Sequence, residues 1–191
     1  MLDDAVLIRR IRGGDLQAFE ELYSRYRRPI FQTALAITHD RQAAEEILQD
    51  CFVRAYAHVD RVDTSVSLSP WLHRIAVNLS YNWSTRHRSW LVSLDDAWEH
   101  LLATGRHQPE KVAEQNELQN VVRRAIDALG FKHRIVVILF FLHGFRLSEI
   151  AYILDCPEGT VKSRLHYACR RLREKLSRES VLEPSVGLEY L

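Results

Sequence analysis

The sequence predicts an all-α fold: two small helical domains joined by a flexible linker, the C-terminal one a helix-turn-helix. Three observations predict it. Hydrophobic residues make up 47% of the 191 positions while glycine and proline number only seven and five, a composition that favours helices over turn-rich sheets. Apolar residues recur at steps of three and four through most of the chain, the period of one helix face. The pattern fails from about Ser89 to Pro109, a stretch that contains Gly105, and resumes beyond it.

Taken in order, Asp3–Arg12 reads as a short helix stopped by Gly13 and Gly14. Asp15 is a good N-cap for the next helix, whose apolar side carries Ala18, Phe19, Leu22, Tyr23, Tyr26, Ile30, Leu35 and Ile37. Pro29 lies inside that pattern and predicts a kink, because it removes a backbone donor and crowds the preceding turn. Asp40 caps a third helix, Arg41–Ala57, with Ala44, Ile47, Leu48, Cys51, Phe52 and Ala55 inward. Asp60–Ser69 is a polar, serine-rich loop, and Pro70 opens a fourth helix through Arg88 with Trp71, Leu72, Ile75, Leu79 and Trp83 inward. Past the linker, Pro109–Leu129 and Lys132–Leu142 read as helices. The sequence LSEIAYIL (147–154) is then a short apolar helix, DCPE a tight corner, and GTVKSRLHYACRRLREKL (159–176) a long amphipathic helix. The expected division is 1–90 for the first domain, 91–109 for the linker, 110–177 for the second domain and 178–191 for a tail, expected to be poorly ordered when free because it holds Pro184 and Gly187.

Composition removes several functional classes. No run approaches the ~20 apolar residues of a membrane span, so no membrane insertion is expected. The N-terminus lacks the apolar core and cleavage site of a signal peptide, and Cys51, Cys156 and Cys169 form no even disulfide framework, which points to a reducing cytoplasm. No HExxH or CxxC is present, and His166 with Cys169 supplies at most two ligands, so no metal site is expected. The absence of a G-x-S-x-G, a P-loop or a GxGxxG leaves no catalytic residue and no cofactor to nominate; the chain is not read as an enzyme.

Net charge is only +1, but charge is unevenly spread. No acid occurs between Asp63 and Asp95, where Arg74, Arg86 and Arg88 sit beside His73 and His87. From Gly159 to Lys175 six bases face Glu174 alone, and the segment between the two basic stretches is acidic. Two basic patches around an acidic spacer point to two nucleic-acid contacts. In the last helix the apolar stripe is Val161, Leu165, Ala168, Leu172 and Leu176. Away from it lie Thr160, Lys162, Ser163, Arg164, His166, Tyr167 and Arg170, a row of phosphate and base-edge donors on one rod that fits a major groove.

The segments AAEEILQDCFVRAY (43–56), PWLHRIAVNLSYNWSTRHR (70–88) and LSEIAYILDCPEGTVKSRLHYACRRLREKL (147–176) together resemble the signature regions of extracytoplasmic-function sigma factors, small specificity subunits of bacterial RNA polymerase. The resemblance implies that the first domain binds core RNA polymerase and melts the minus-ten element of promoter DNA, and that the second reads the minus-thirty-five element. By position it carries polymerase docking to Glu46, Gln49 and Asp50, which lie opposite Ile47, Phe52 and Ala55 as an acidic face suited to a basic partner. It carries minus-ten recognition to Asn78, Tyr81, Asn82 and Arg86: an amide can satisfy a base edge on both its donor and its acceptor side. The loop Val62–Ser69 would wall the flipped base, and Trp71 holds the family's core position. In the distal helix, Arg164 and Arg170 are the strongest candidates for guanine or backbone contacts, and Thr160 for a phosphate at the helix start. An anti-sigma factor is the implied regulatory partner, clamping both domains. A helix-turn-helix regulator that binds duplex DNA without polymerase docking, and a protein-binding adaptor, are the alternative readings.

Overall fold

The computed structural model describes residues 3–63, 67–91 and 120–178; for residues 87–91 it describes the backbone alone. All regular structure among them is helical. The helices are α1 (Asp4–Arg12), α2 (Leu16–Thr38), α3 (Arg41–Ala57), α4 (Leu68–Leu91), α5 (120–127), α6 (Phe131–Val137), α7 (Leu147–Leu154) and α8 (Glu158–Arg178). A single 3-10 turn, Val59–Arg61, follows α3, and the end of α6 widens into a π turn at Ile138–Leu142. The chain forms two compact units: Met1–Arg88 with Ser148–Cys156, and Ser89–Leu147 with Pro157–Leu191.

Local chemistry sets the helix starts in the first unit. The Asp15 carboxylate accepts from the backbone N–H of Gln17 at 3.0 Å and of Ala18 at 3.2 Å, satisfying two donors that have no partner inside α2. Arg10 donates to the other oxygen of Asp15 at 2.8 Å, and that bond holds the carboxyl below its ordinary range. Gly14, at φ +84°, makes the left-handed turn between α1 and α2 that a side chain would resist. Asp40 caps α3 by accepting from Ala43 N–H at 3.0 Å. Thus Asp15, Asp40 and the limits Arg41–Ala57 and Leu147–Leu154 lie where the sequence puts them.

Other boundaries differ. α4 begins at Leu68, two residues before Pro70, because Leu68 is itself packed inside, at 2% exposure; Pro70 occupies the first turn, where its missing N–H has no acceptor to lose. The loop expected over Asp60–Ser69 is shortened at both ends by the 3-10 turn and by α4. α8 begins at Glu158, the last residue of the expected corner, and the carbonyl of Pro157 just before it accepts from the N–H groups of Thr160 and Val161. α2 continues through Pro29, and the Thr33 hydroxyl donates to the Pro29 carbonyl at 3.1 Å. The expected helix over 109–119, the linker and the tail lie outside the described residues.

The core of the first unit is one cluster. Leu7, Ile8 and Ile11 of α1, Leu22 and Ile30 of α2, Ile47 and Phe52 of α3, and Leu68, Leu72 and Ala76 of α4 are buried together. Phe19 and Tyr23 of α2 meet Phe52 edge-on, with centroids 6.2 and 4.8 Å apart, the arrangement in which ring edge and ring face attract. Trp71 and Trp83 pack against this cluster, so both belong to the core side of α4. In the second unit α6 packs along α8, and Ile135, Val136, Leu139, Val161, Leu165 and Ala168 are buried.

Candidate nucleic-acid interface

On α3, burial of Ala44, Ile47, Cys51, Phe52 and Ala55 fixes the helix's rotation, and Glu46, Gln49 and Asp50 come out on the exposed face. Gln42 donates to Glu46 at 3.2 Å and Arg41 pairs with Glu45 at 3.0 Å, both across one turn at the start of the helix. Gln49 and Asp50 sit a turn further on, beside exposed Val53.

On α4, Leu72, Ala76 and Leu79 face the core, which turns Asn78, Tyr81, Asn82 and Arg86 outward at helical spacing. All four are exposed, so the structure brings the sequence-derived set onto one face. Thr85 donates to the Asn82 carbonyl at 3.0 Å. The basic patch expected around this helix is smaller than the sequence implies. His73 is buried at 1% exposure, its Nδ1 2.8 Å from the Ser69 carbonyl, and contributes no surface charge. Arg74 pairs with Asp155 at 3.3 Å, donates to the Tyr152 carbonyl and lies over the Tyr152 ring. The side chains of His87 and Arg88, and residues 64–66 of the loop expected to wall a flipped base, lie outside the described residues. Val62, at the start of that loop, is buried.

One residue with a hold on that loop has no sequence signal. Arg12, at the end of α1, donates to the carbonyls of Val59, Asp60 and Val62 and so gathers three acceptors of the turn that leads into the loop. An arginine at a helix C-terminus reads as dipole complement, and only the fold shows which carbonyls it serves.

On α8, Val161, Leu165 and Ala168 anchor one side, and Lys162, Ser163, His166, Tyr167 and Arg170 are exposed on the other. Thr160 and Arg164 are half-buried at its margin. The Ser163 hydroxyl donates to the Thr160 carbonyl at 3.0 Å, one turn back. The Arg170 guanidinium lies 5.4 Å from the Tyr167 ring centre and 3.9 Å from Glu174, which also faces Arg171 at 3.7 Å. Glu174 therefore sits among the bases of the helix's later turns. Lys175 donates to the Arg124 carbonyl at 3.4 Å. His133 of α6, absent from the sequence-derived set, reaches the same helix: its ring centre is 4.5 Å from that of Tyr167. Burial, and then the charge of Arg164, lower its affinity for a proton.

The chemistry offered is that of recognition: amides, hydroxyls and guanidinium forks on rigid helices, suited to base edges and phosphates. No cluster of three His, Cys, Asp or Glu among the described residues is arranged to hold a metal, and no helix among them is long and apolar enough to cross a membrane. Cys51 is buried, its thiol 3.6 Å from the Leu72 carbonyl, and desolvation pushes it up to about 12.

Comparison with known proteins matches residues 22–90 to Sigma-70 region 2 and residues 125–174 to Sigma-70, region 4. The chain is 31% identical over 177 residues to the ECF RNA polymerase sigma factor SigW of Bacillus subtilis (strain 168), covering 88% of this chain and 94% of that one. It is 31% identical over 182 residues to the ECF RNA polymerase sigma-E factor of Escherichia coli (strain K12), covering 92% and 95%. Among solved structures, CnrH in complex with the cytosolic domain of CnrY superposes with a TM-score of 0.69 at 22% identity, over 93% of this chain and 99% of that one. RpoE of Bartonella quintana, solved with the anti-sigma factor NepR, gives 0.62 at 23% identity over 83% and 96%. The fold is shared with these, and by sequence over nearly its whole length the chain belongs to the extracytoplasmic-function family of RNA polymerase sigma factors.

Proposed function

We propose that this chain docks on core RNA polymerase in the cytoplasm, places its first domain (1–90) on the minus-ten element and its second (110–177) on the minus-thirty-five element, and leaves RNA synthesis to the polymerase. It is a specificity subunit without catalysis of its own. Glu46, Gln49 and Asp50 meet a basic partner surface; Asn78, Tyr81, Asn82 and Arg86 hold unpaired bases; Thr160, Lys162, Ser163, Arg164, His166, Tyr167 and Arg170 meet duplex DNA. The observation that carries the reading is the outward face of α4: a carboxamide, a phenol, a second carboxamide and a guanidinium stand at helical spacing, backed by a fully packed opposite face. Stacking beside amide pairing is what an extruded base requires, and the flat face for stacking is what a reader of intact duplex does not need. The relatives solved with CnrY and NepR support an anti-sigma factor as the regulatory partner here too.

The test is a gel shift on a promoter selected from a random library, with and without core polymerase. Tight, sequence-specific retention is expected only with polymerase present. Equally tight specific retention by the chain alone, as a dimer, would replace this reading with that of an autonomous regulator.

A further inference from the structure

The first turn of α6 reaches the outward side of α8 through His133. The His133 ring lies 4.5 Å from Tyr167, the two planes inclined by 36°. Tyr167 in turn carries the Arg170 guanidinium 5.4 Å from its ring centre. Three side chains from two helices thus form a chain of contacts: imidazole, phenol, guanidinium. All three belong to the second unit, and His133 is partly covered while Tyr167 and Arg170 are open to solvent.

An exposed arginine on a helix samples many rotamers, and each must be given up when the fork meets a base edge or a phosphate. A ring beneath the guanidinium narrows that sampling through the cation–π attraction. The ring holds the guanidinium only if it is held itself. Tyr167 is exposed and would swing freely on α8 alone; His133, fixed on a packed helix at half-burial, restrains it. Glu174 pulls the same guanidinium along the helix at 3.9 Å, so the ring also decides between a groove-directed fork and an intrahelical pair. Preorganisation of this kind leaves contacts unchanged and lowers the ordering cost of making them.

We propose that His133 is a positioning residue for promoter recognition: through Tyr167 it presets the Arg170 fork, and thereby sets how sharply the second domain discriminates base pairs, without touching DNA itself. This rests on the reading of α8 as the duplex-reading helix. Phenylalanine at 133 preserves a flat ring of similar size; alanine removes it.

The experiment uses the full chain bound to core polymerase and a promoter recovered by the wild type from a random library. Relative binding is measured on that promoter and on versions with each upstream base pair replaced, for His133→Ala, His133→Phe, Tyr167→Ala, Arg170→Ala and His133→Ala/Tyr167→Ala. Thermal unfolding is followed in parallel. Arg170→Ala is expected to lose discrimination at one or two base pairs. His133→Ala is expected to lose about 3- to 10-fold at those same pairs. His133→Phe stays near wild type, and His133→Ala adds nothing in the Tyr167→Ala background. If Arg170→Ala is silent, Arg170 reads no base pair and the positioning proposal fails, whatever the other residues of α8 do. If Arg170→Ala is damaging while His133→Ala discriminates like wild type, the assignment stands and the positioning role is refuted. A loss that persists in the Tyr167→Ala background refutes it too. Should His133→Ala unfold, His133→Phe decides: full discrimination supports the ring's role, and loss at pairs unrelated to Arg170 overturns it.

Discussion

Arg12 donates to the carbonyl of Val62 at 2.6 Å across fifty positions of sequence, and the same guanidinium reaches Val59 at 3.1 Å and Asp60 at 3.2 Å. Three carbonyls of the 3-10 turn and its end are thereby gathered by one planar cation, the Val59 carbonyl accepting from the Val62 N–H as well; a guanidinium can present five donors in a fixed fork. The consequence is local rigidity just before the loop that leads into α4.

Arg12→Ala is expected to destabilise the first unit by about 1–2 kcal/mol, since charged donors to carbonyls contribute more than neutral ones but this one is partly in water. Arg12→Lys should restore only part of the loss, because an ammonium cannot span three acceptors. Thermal unfolding measures the first effect. Permanganate reactivity of the opened promoter measures the second: strand opening is expected to fall more than polymerase binding. An unchanged melting temperature would contradict the role.

Asp4 ties α1 to α2. Its carboxylate accepts from Arg25 at 2.6 Å and from the Tyr26 hydroxyl, with Arg25 and Asp4 only 17% and 21% exposed. Asp4→Ala leaves the guanidinium with Glu21 at 3.1 Å and strands the phenol, so a loss of about 2–3 kcal/mol is expected by chemical denaturation. Tyr26→Phe removes one bond and leaves the ion pair, and should cost about 1 kcal/mol.

Asn78→Ala separates recognition from folding. Asn78 is fully on the outward face of α4, so stability should shift by no more than about 0.5 kcal/mol. Open-complex formation should fall by about tenfold or more, the loss of one bidentate base contact. Matched unfolding curves with unmatched strand opening are the expected pair of results; matched strand opening would remove Asn78 from the base-holding set.

The stability of the second unit should fall with acid through His143. Burial lowers its affinity for a proton from an ordinary 6.5 to about 4. Unfolded chains take up that proton near 6.5 and the folded one only near 4, so between these values the unfolded state binds more protons and stability drops as pH falls. Above 6.5 this residue contributes no slope. Solvent reaches part of the ring, so the loss on full acidification is on the order of 1–2 kcal/mol. Melting temperatures from about pH 7 to about pH 5 should decline less steeply for His143→Gln than for the parent chain.

Much of the fold is legible because its signals are short-range. Asp15 and Asp40 cap the helices they precede, and the 3.6-residue stripe on α3 and α8 orients Glu46 and Lys162 outward without any tertiary information. The start of α4 differs by two residues from the pattern because Pro70 is a strong local signal, whereas Leu68 joins the helix through burial. The basic patch is smaller than the charge pattern for a related reason. Sequence spacing counts charges, but only packing reveals that His73 is inside and that Arg74 is spent on Asp155. Arg12 and His133 had no pattern to betray them, since their partners lie 50 and 34 positions away in sequence.

The central claim is that this polypeptide gives RNA polymerase a choice of start site. Purified core enzyme lacking any specificity subunit, mixed with this chain and a broad library of templates, is to be followed by sequencing transcript 5′ ends. The account predicts discrete start sites downstream of a shared pair of sequence elements, with their use sharply reduced by Arg164→Ala/Arg170→Ala and by Asn78→Ala. Start sites no different from those of core enzyme alone would contradict it.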